Sequence, residues 1–268
     1  MYALSYPMRF SLLLFCCLTL SACATAPYTG RSQFITMSKE MEFRLGLEAT
    51  KEILSSAPVE KGTARAARVE RVGARIARAA DRPDFQWAFY TINKPEINAF
   101  CLPGGKVFVY AKLLELTGVN DAELAAVIGH EIAHVIARHA AERMSQAQAS
   151  SFGGALLGLG VSVATGSSAA AQTVQSGYSA LTQLGILLPF SRSQETEADY
   201  IGIILAAKAG YDPRAAITFW EKMIKESEGG KRPLAFLSTH PLSETRIADL
   251  RRMMPEALKY YTPSRLSP

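Results

Sequence analysis

Residues 120–136 read NDAELAAVIGHEIAHVI and combine an apolar helical pattern with two histidines and a glutamate. Asn120 followed three positions later by Glu123 is typical of a helix N-terminus, where side chains satisfy the first free backbone N–H groups. Apolar residues surround the two histidines, which predicts that the helix is buried. We expect it to extend to about Ser145.

Two histidines and a glutamate in this stretch form a metal-binding pattern. His130 and His134 are four positions apart, and at 3.6 residues per turn they lie about 40° apart on the helix, so both imidazoles can reach one metal ion. Glu131 faces the neighbouring side of the same pocket, where it can take a proton from water as a general base. The alternative is a helix with two surface histidines, and the apolar surroundings argue against it.

A catalytic zinc site also needs a third protein ligand and an open position. His139 is a poor candidate, because nine positions beyond the first histidine is the opposite side of a continuous helix. A later predicted helix beginning SRSQETEAD supplies carboxylates instead. Glu195 and Asp199 are four positions apart and share a face, so one can bind metal while the other holds a ligand imidazole by its second nitrogen. Spacing alone does not exclude Glu197.

The remaining periodicity predicts an α+β fold that is mainly helical, with a small β-sheet before the metal-binding helix. Residues 85–92 are aromatic and β-branched and predict a strand. Residues 97–100 and 106–110 flank Pro-Gly-Gly and predict a hairpin. The other predicted helices cover residues 38–55, 62–80, 193–209, 213–228 and 242–254.

The N-terminus predicts export. Arg9 is the only charge in residues 1–22, and the apolar stretch after it is too short to span a bilayer, as in a signal peptide. Leu-Ser-Ala-Cys, ending at Cys23, resembles a bacterial lipobox, which implies cleavage before Cys23 and a lipid on its thiol. An ordinary secretory signal or an uncleaved anchor is the alternative.

These boundaries divide the chain into a signal peptide at residues 1–22, a lipidated tether at residues 23–37 and one globular domain at residues 38–262. The tether is rich in Pro, Gly, Ser and Thr and is expected to be extended. The implied location is the bacterial envelope, facing the periplasm. Ala24 after the lipidated cysteine favours the outer membrane over the inner one.

Composition excludes some classes of function. The net charge of +5 over 268 residues is small, and no nucleic-acid-binding motif accompanies it, so nucleic acid is not an expected partner. Residues 144–191 carry no charged side chain and are rich in Gly, Ala and Ser. We expect a packed helical hairpin or a flap there, with a membrane-inserting segment as the alternative.

The motifs together resemble the M48 family of metallopeptidases, and the resemblance covers about residues 27–255. HEIAH followed later by ETEAD matches the family's two metal-binding motifs. The resemblance implies a zincin-like gluzincin domain with one zinc ion per chain, bound by the two histidines and Glu195, and it makes Asp199 the acid that supports them. The short form, expected to lack multiple transmembrane helices and a following TPR array, resembles OMA1-like and bacterial lipoprotein members.

Further residues are assigned by the same resemblance. Asn98, Ala99 and Phe100 match the family's strand that pairs with extended substrate. The His-Pro element at His240 implies a group that stabilises the oxyanion or occupies the open metal position. Arg246 is expected to be a structural partner for an acid such as Asp199 or Glu197.

The function implied is a zinc metalloendopeptidase, tethered to the membrane by lipid, that cleaves misfolded or unassembled envelope proteins. The alternative is a chaperone-like binding module for unfolded envelope proteins, with a latent or closed metal site. The sequence does not indicate an oligomeric state.

Overall fold

The computed structural model describes residues 23–150, 189–229 and 234–263. The predicted signal peptide and most of the uncharged stretch at residues 144–191 therefore lie outside the described residues. In the parts that are described, no helix combines the length and the apolar character that crossing a membrane requires.

Helices dominate, as the sequence predicted, and the strands are short. In chain order the elements are β1 (Cys23–Thr25), β2 (Ser32–Phe34), α1 (Lys39–Ser56), β3 (Val59–Glu60), α2 (Ala64–Ala80), β4 (Ala88–Ile92), β5 (Ala99–Leu102), β6 (Lys106–Tyr110), α3 (Ala111–Thr117), α4 (Asp121–Ile136), α5 (residues 139–150), α6 (Arg192–Lys208), α7 (Ala215–Gly229), α8 (Ala235–Thr239) and α9 (Arg246–Leu258). These elements belong to two compact units, one built from residues up to 38 and from 141 onward to the first gap, the other from the rest.

The smaller unit contains a hairpin where the sequence predicted an extended tether. Strands β1 and β2 pair antiparallel, with Cys23 opposite Phe34. The chain reverses between them because Tyr28 and Gly30 both adopt positive φ, at 69° and 71°. The expectation of an extended segment is therefore corrected, while its role as a lipidated tether stays a prediction.

Side chains from α5 fix this hairpin. The guanidinium of Arg31 donates two parallel hydrogen bonds of 2.8 Å to the carboxylate of Glu142, a geometry that favours strong pairing. Gln33 donates to the same carboxylate at 3.2 Å. The Oγ atom of Ser145 accepts a 3.0 Å hydrogen bond from the backbone of Thr36.

The larger unit contains a four-stranded sheet of order β3-β4-β6-β5. The hairpin predicted around Pro-Gly-Gly is confirmed, since β5 and β6 pair antiparallel and Gly104 and Gly105 take φ values of 85° and 88° that a turn requires. Strand β4 pairs parallel to β6, a contact that the sequence pattern did not predict. Among the described strands, β5 has a neighbour on one side only, so its other edge is unpaired by this sheet.

Helix α4 forms the centre of the larger unit. Every residue from Glu123 to Ile136 is buried, which confirms the prediction of a buried helix. Its Asn120 cap is also confirmed, because Oδ1 of that side chain accepts hydrogen bonds from the backbone of Ala122 and Glu123. Helix α2 contributes the predicted apolar stripe of Val69, Val72 and Ile76, all fully buried.

Two glycines allow α4 and α6 to pack at close range. A Cβ atom added to Gly129 would lie 2.8 Å from the carbonyl oxygen of Gly202, and one added to Gly202 would lie 2.8 Å from the backbone nitrogen of His130. Backbone atoms occupy both positions and cannot move aside as a side-chain end could. Any larger residue would therefore separate the helix that carries His130 from the helix that carries Glu195.

Helix α4 ends earlier than predicted. Instead of continuing to Ser145, it stops at Ile136, and Arg138 takes a left-handed φ of 55° before α5 begins. The Nε atom of Arg138 donates a 2.8 Å hydrogen bond to the buried carboxylate of Glu42, which stabilises this strained turn. Helix α9 also differs from the prediction: it begins at Arg246 rather than at residue 242.

Replacing Gly202 by Ala tests the close approach. We expect the free energy of unfolding to fall by about 1–3 kcal/mol, because the added methyl group forces backbone to shift in a tightly packed region. Urea unfolding of the full chain measures it. Gly229→Ala is the matched control, since Gly229 also lies in a helix but a Cβ atom added there would meet no atom within 4 Å. Equal midpoints for Gly202→Ala and the wild type would contradict the close packing of the two helices.

Candidate metal centre

Helix α4 places the two histidines and the glutamate of the HExxH pattern in the interior. His130 and His134 are each 4% exposed, and Glu131 is 2% exposed. The Nε2 atoms of the two histidines lie 3.0 Å apart. The one-turn spacing therefore brings both imidazoles to one point, as the sequence predicted.

Helix α6 brings the carboxylates to the same point. Ser191 caps this helix in a capping box with Gln194, in which each side chain bonds the other residue's backbone N–H. Glu195 follows in the first turn, where the helix dipole favours an acidic side chain. Burial acts to raise the pKa of Glu195, and the neighbouring His240 and His130 overcome it and hold that pKa well below its usual range.

Four side chains converge closely enough to bind one metal ion. His130, His134, Glu195 and His240 each offer a ligand atom, and these atoms all lie within 4.8 Å of one another. Oε1 of Glu195 is 3.3 Å from His134 Nε2 and 3.0 Å from His240 Nδ1. Two imidazole nitrogens and a carboxylate form a donor set typical of catalytic zinc, so the residues present fit a zinc ion.

His240 comes from the turn after α8, where it precedes Pro241. Its ring stacks on Phe236 at 4.5 Å between centroids and lies 5.2 Å from the ring of Phe190. Its Nδ1 atom is 3.3 Å from His130 Nε2. The structure therefore places this histidine, 1% exposed, directly at the cluster of ligand atoms.

A second layer of charge supports the cluster. Arg246 donates to Oε2 of Glu195 at 2.7 Å and to Oδ1 of Asp199 at 2.8 Å. Asp199 Oδ1 also lies 2.9 Å from Nδ1 of His130, so it can hold that imidazole by its second nitrogen. The guanidinium lies 3.4 Å above the ring of Trp220, a cation–π contact that the sequence pattern did not predict.

Glu131 lies beside the cluster of ligand atoms, with one carboxylate oxygen facing His240. Its Oε1 atom is buried and makes no hydrogen bond with the residues that the structure describes, and it lies 3.4 Å from His240 Nε2. Burial raises the pKa of Glu131, although His240 and His130 act to lower it. A raised pKa makes the carboxylate a better proton acceptor near neutral pH.

Glu197, which spacing had left open as a ligand, lies outside the four-residue cluster. Its Oε2 atom is 2.9 Å from His139 Nε2 instead. His139 is also outside the cluster, yet its Nδ1 atom is 2.8 Å from Nδ1 of His134. The far side of a continuous helix was the expected place for His139, and the break at Arg138 makes that expectation wrong. No Gly or Pro marks that break in the sequence, so nothing local signalled it.

The three residues predicted to bind substrate lie at and just before strand β5. Ala99 is fully buried, and the ring of Phe100 stacks on Phe108 with centroids 4.9 Å apart. The carbonyl oxygen of Asn98 accepts a hydrogen bond of 3.0 Å from the backbone of Tyr110. The unpaired edge of β5 is the part of this segment that could pair with an extended peptide.

Arg246→Met tests the contribution of the ion pairs that Arg246 makes with Glu195 and Asp199. Removing the guanidinium leaves two buried carboxylates without their shared partner, and we expect about 3–5 kcal/mol lower stability in urea unfolding of the metal-free chain. Arg251→Met, on the same helix, is the control, because that side chain is 64% exposed and pairs with Glu221 at the surface. The control should change stability by about 0–1 kcal/mol. Similar losses in both variants would show that Arg246 has no special role.

Comparison with known proteins agrees with this geometry. The chain is 40% identical over 238 residues to the mitochondrial metalloendopeptidase OMA1 of Schizosaccharomyces pombe, which covers 86% of this chain and 66% of that protein. It is 34% identical over 230 residues to the beta-barrel assembly-enhancing protease of Escherichia coli K12, with 85% of this chain and 46% of that protein covered.

These relatives are longer than the aligned region, so the chain spans about two thirds of the first and about half of the second. The model of peptidase family M48 matches residues 63–254, a range that contains all four residues of the cluster together with Asp199 and Arg246. The match covers well over half of the chain. The chain therefore belongs to peptidase family M48.

Proposed function

We propose that this protein is a zinc-dependent endopeptidase. The observation that carries the proposal is the buried convergence of His130, His134 and Glu195 beside a glutamate with an unbonded carboxylate oxygen. Three protein ligands with a base at hand favour a catalytic site over a structural one, because a structural site needs no base between its ligands. Family membership and two relatives named as proteases support the same function.

The chain's own residues then divide the work of peptide hydrolysis. The two histidines and Glu195 would hold a zinc ion, which would supply Lewis acidity and lower the pKa of a water molecule beside it. Glu131 accepts a proton from the attacking water and returns it to the amine that leaves when the C–N bond breaks. His240, whose Nε2 atom lies 3.4 Å from Oε1 of Glu131, would donate a hydrogen bond to the developing oxyanion.

Polypeptide substrate would lie extended along β5. The edge of β5 that no described strand pairs with offers backbone hydrogen bonds that do not depend on sequence, which suits an enzyme acting on many unfolded proteins. Strand β5 packs beside α4, the helix that carries Glu131, so a peptide there runs close to the base. Asn98, Ala99 and Phe100 are the residues we assign to this contact.

The proposed place of action is the bacterial envelope. A lipid on Cys23 would hold the protein on the membrane, facing the periplasm, and the residue after it favours the outer membrane. The substrates proposed are misfolded or unassembled envelope proteins. One relative is named for enhancing the assembly of β-barrels, the architecture of outer-membrane proteins, which supports that class.

The position of His240 favours a second candidate function. Its Nδ1 atom lies within reach of the same point as the three ligands, so four donors can close the coordination sphere. A closed site would leave a latent peptidase or a chaperone-like module that binds unfolded envelope proteins without cutting them. The two candidates differ in whether removing this side chain releases cleavage.

Glu131→Gln distinguishes the peptidase from a binding module. We expect zinc near one ion per chain in wild type and variant, because Glu131 is not a ligand, and about a 100- to 10,000-fold lower rate of cleavage of a reduced, unfolded protein. Metal analysis and gel assays of the full chain measure both quantities. Glu115→Gln is the control, since Glu115 is an exposed glutamate that pairs with Lys112 at the surface.

If the Glu131→Gln variant still cleaves protein at the wild-type rate, Glu131 is not the general base. If both proteins bind zinc and neither cuts, His240→Ala becomes the informative variant. Cleavage released by His240→Ala supports a latent peptidase. Continued binding of unfolded protein without cleavage supports the chaperone-like module.

Cys23→Ser tests the proposed anchor. Diacylglycerol on this thiol adds two acyl chains, which suffice for stable membrane attachment. We expect the wild type in the membrane fraction of a bacterial host and the Cys23→Ser protein in the soluble fraction, as blotting after fractionation would show. Cys101→Ser, at the other cysteine beyond the predicted signal, should stay with the membrane. A wild type that is already soluble would refute the anchor.

A further inference from the structure

The geometry points to a positioning relay in which Glu197 and His139 fix the tautomer of the metal ligand His134. His139 and Glu197 are buried, at 0% and 5% exposure, and neither belongs to the cluster of ligand atoms. They form a continuous line of hydrogen bonds that ends on the ligand imidazole. The inference rests on the proposed zinc site and extends it by two residues.

A break in the helix at Arg138 allows the contact between His139 and His134. If α4 continued as a regular helix, the residue nine positions after His130 would point away from the site. The left-handed conformation of Arg138 breaks the helix and turns His139 back toward His134, with ring centroids 4.9 Å apart. A non-glycine residue at positive φ is strained, and such strain persists where the surrounding structure fixes it. The ion pair between Arg138 and Glu42 provides that restraint.

The protons that Glu197, His139 and His134 can carry determine which atom donates in each of these two hydrogen bonds. An ionised carboxylate can only accept, so the 2.9 Å contact between Glu197 and Nε2 of His139 requires a proton on that nitrogen. A neutral imidazole carries one N–H, so Nδ1 of His139 is then an acceptor. It faces Nδ1 of His134 at 2.8 Å, and that nitrogen must therefore carry the proton between them.

A proton on Nδ1 of His134 determines the state of its other ring nitrogen, Nε2. With its proton on Nδ1, the ring presents a bare lone pair at Nε2, the atom that faces His130 Nε2 and Glu195. A metal ion needs that lone pair. In the opposite tautomer Nε2 would carry a hydrogen aimed into the site, which would have to leave before metal could bind.

With the relay, each of the two histidine ligands has a hydrogen-bonding partner at its second ring nitrogen. Asp199 lies 2.9 Å from the second nitrogen of His130 directly, whereas Glu197 acts on His134 through His139. Of the three acids at alternate positions of α6, Glu195 belongs to the ligand cluster, and Asp199 and Glu197 orient the two histidines. Contacts of this kind, one step from the metal, typically change metal affinity by about 10- to 100-fold.

His139→Phe and His139→Asn test the relay in the full chain. Phenylalanine fills similar space but has no acceptor, and we expect zinc affinity to fall by about 10- to 100-fold, measured by competition with a chromophoric chelator. Asparagine places an oxygen near the position of Nδ1, so it can accept from His134 and should recover most of the affinity. Circular dichroism and thermal melting of the metal-free variants separate this effect from misfolding.

Nitrogen-15 NMR spectra of the histidine rings show which ring nitrogen carries the proton, a property that a change in packing alone would not alter. The chain has four histidines, so single variants suffice to assign them. In the metal-free wild type we expect the His134 proton on Nδ1, and in folded His139→Phe a mixture of both tautomers.

The relay is overturned if folded His139→Phe binds zinc as tightly as wild type, if His139→Asn loses as much affinity as His139→Phe, or if the wild-type proton sits on Nε2 of His134. A wild type that binds no zinc at all would overturn the proposed peptidase and the relay with it. Zinc binding that is unaffected by these variants overturns the relay alone.

Discussion

The close contact of α4 with α6 at Gly129 and Gly202 is the constraint on which the site depends. Neither helix alone carries the cluster: α4 supplies two imidazoles and Glu131, and α6 supplies the carboxylates. Their side chains meet at one point, and the two backbones approach to van der Waals distance beside that point. Glycine is the residue that permits this approach, and the resulting contact lies directly beside His130.

This approach buries many charged groups, and their number explains much of the surrounding structure. Glu195, Glu197 and Asp199 all lie at 6% exposure or less. Ionised carboxylates removed from water need partners, and each of these has a cationic or imidazole group within hydrogen-bond distance. Arg246 serves two of the acids at once and is held in place by Trp220. Such an arrangement is sensitive to mutation, because the loss of any one partner leaves a buried charge uncompensated.

The sequence predicted those features that repeat over short distances. The i, i+4 pairs of histidines and of acids, the apolar stripe on α2 and the Pro-Gly-Gly turn all follow from local geometry, and the structure has them. The assignment of Glu195 instead of Glu197 needed the family resemblance, because spacing did not separate the two. The arrangement around His134 could not be predicted, since it depends on a helix break at Arg138 that has no local signal and on Glu42, nearly a hundred positions earlier in the chain.

Arg138 occupies a position where two requirements oppose each other. Its backbone conformation suits glycine, whereas its ion pair with Glu42 requires a long cationic side chain. A substitution that satisfies the backbone loses the ion pair, and one that keeps a cation retains the strain. We therefore expect positions 42 and 138 to be coupled during evolution, because a change at either one alters what the other residue contributes to this turn.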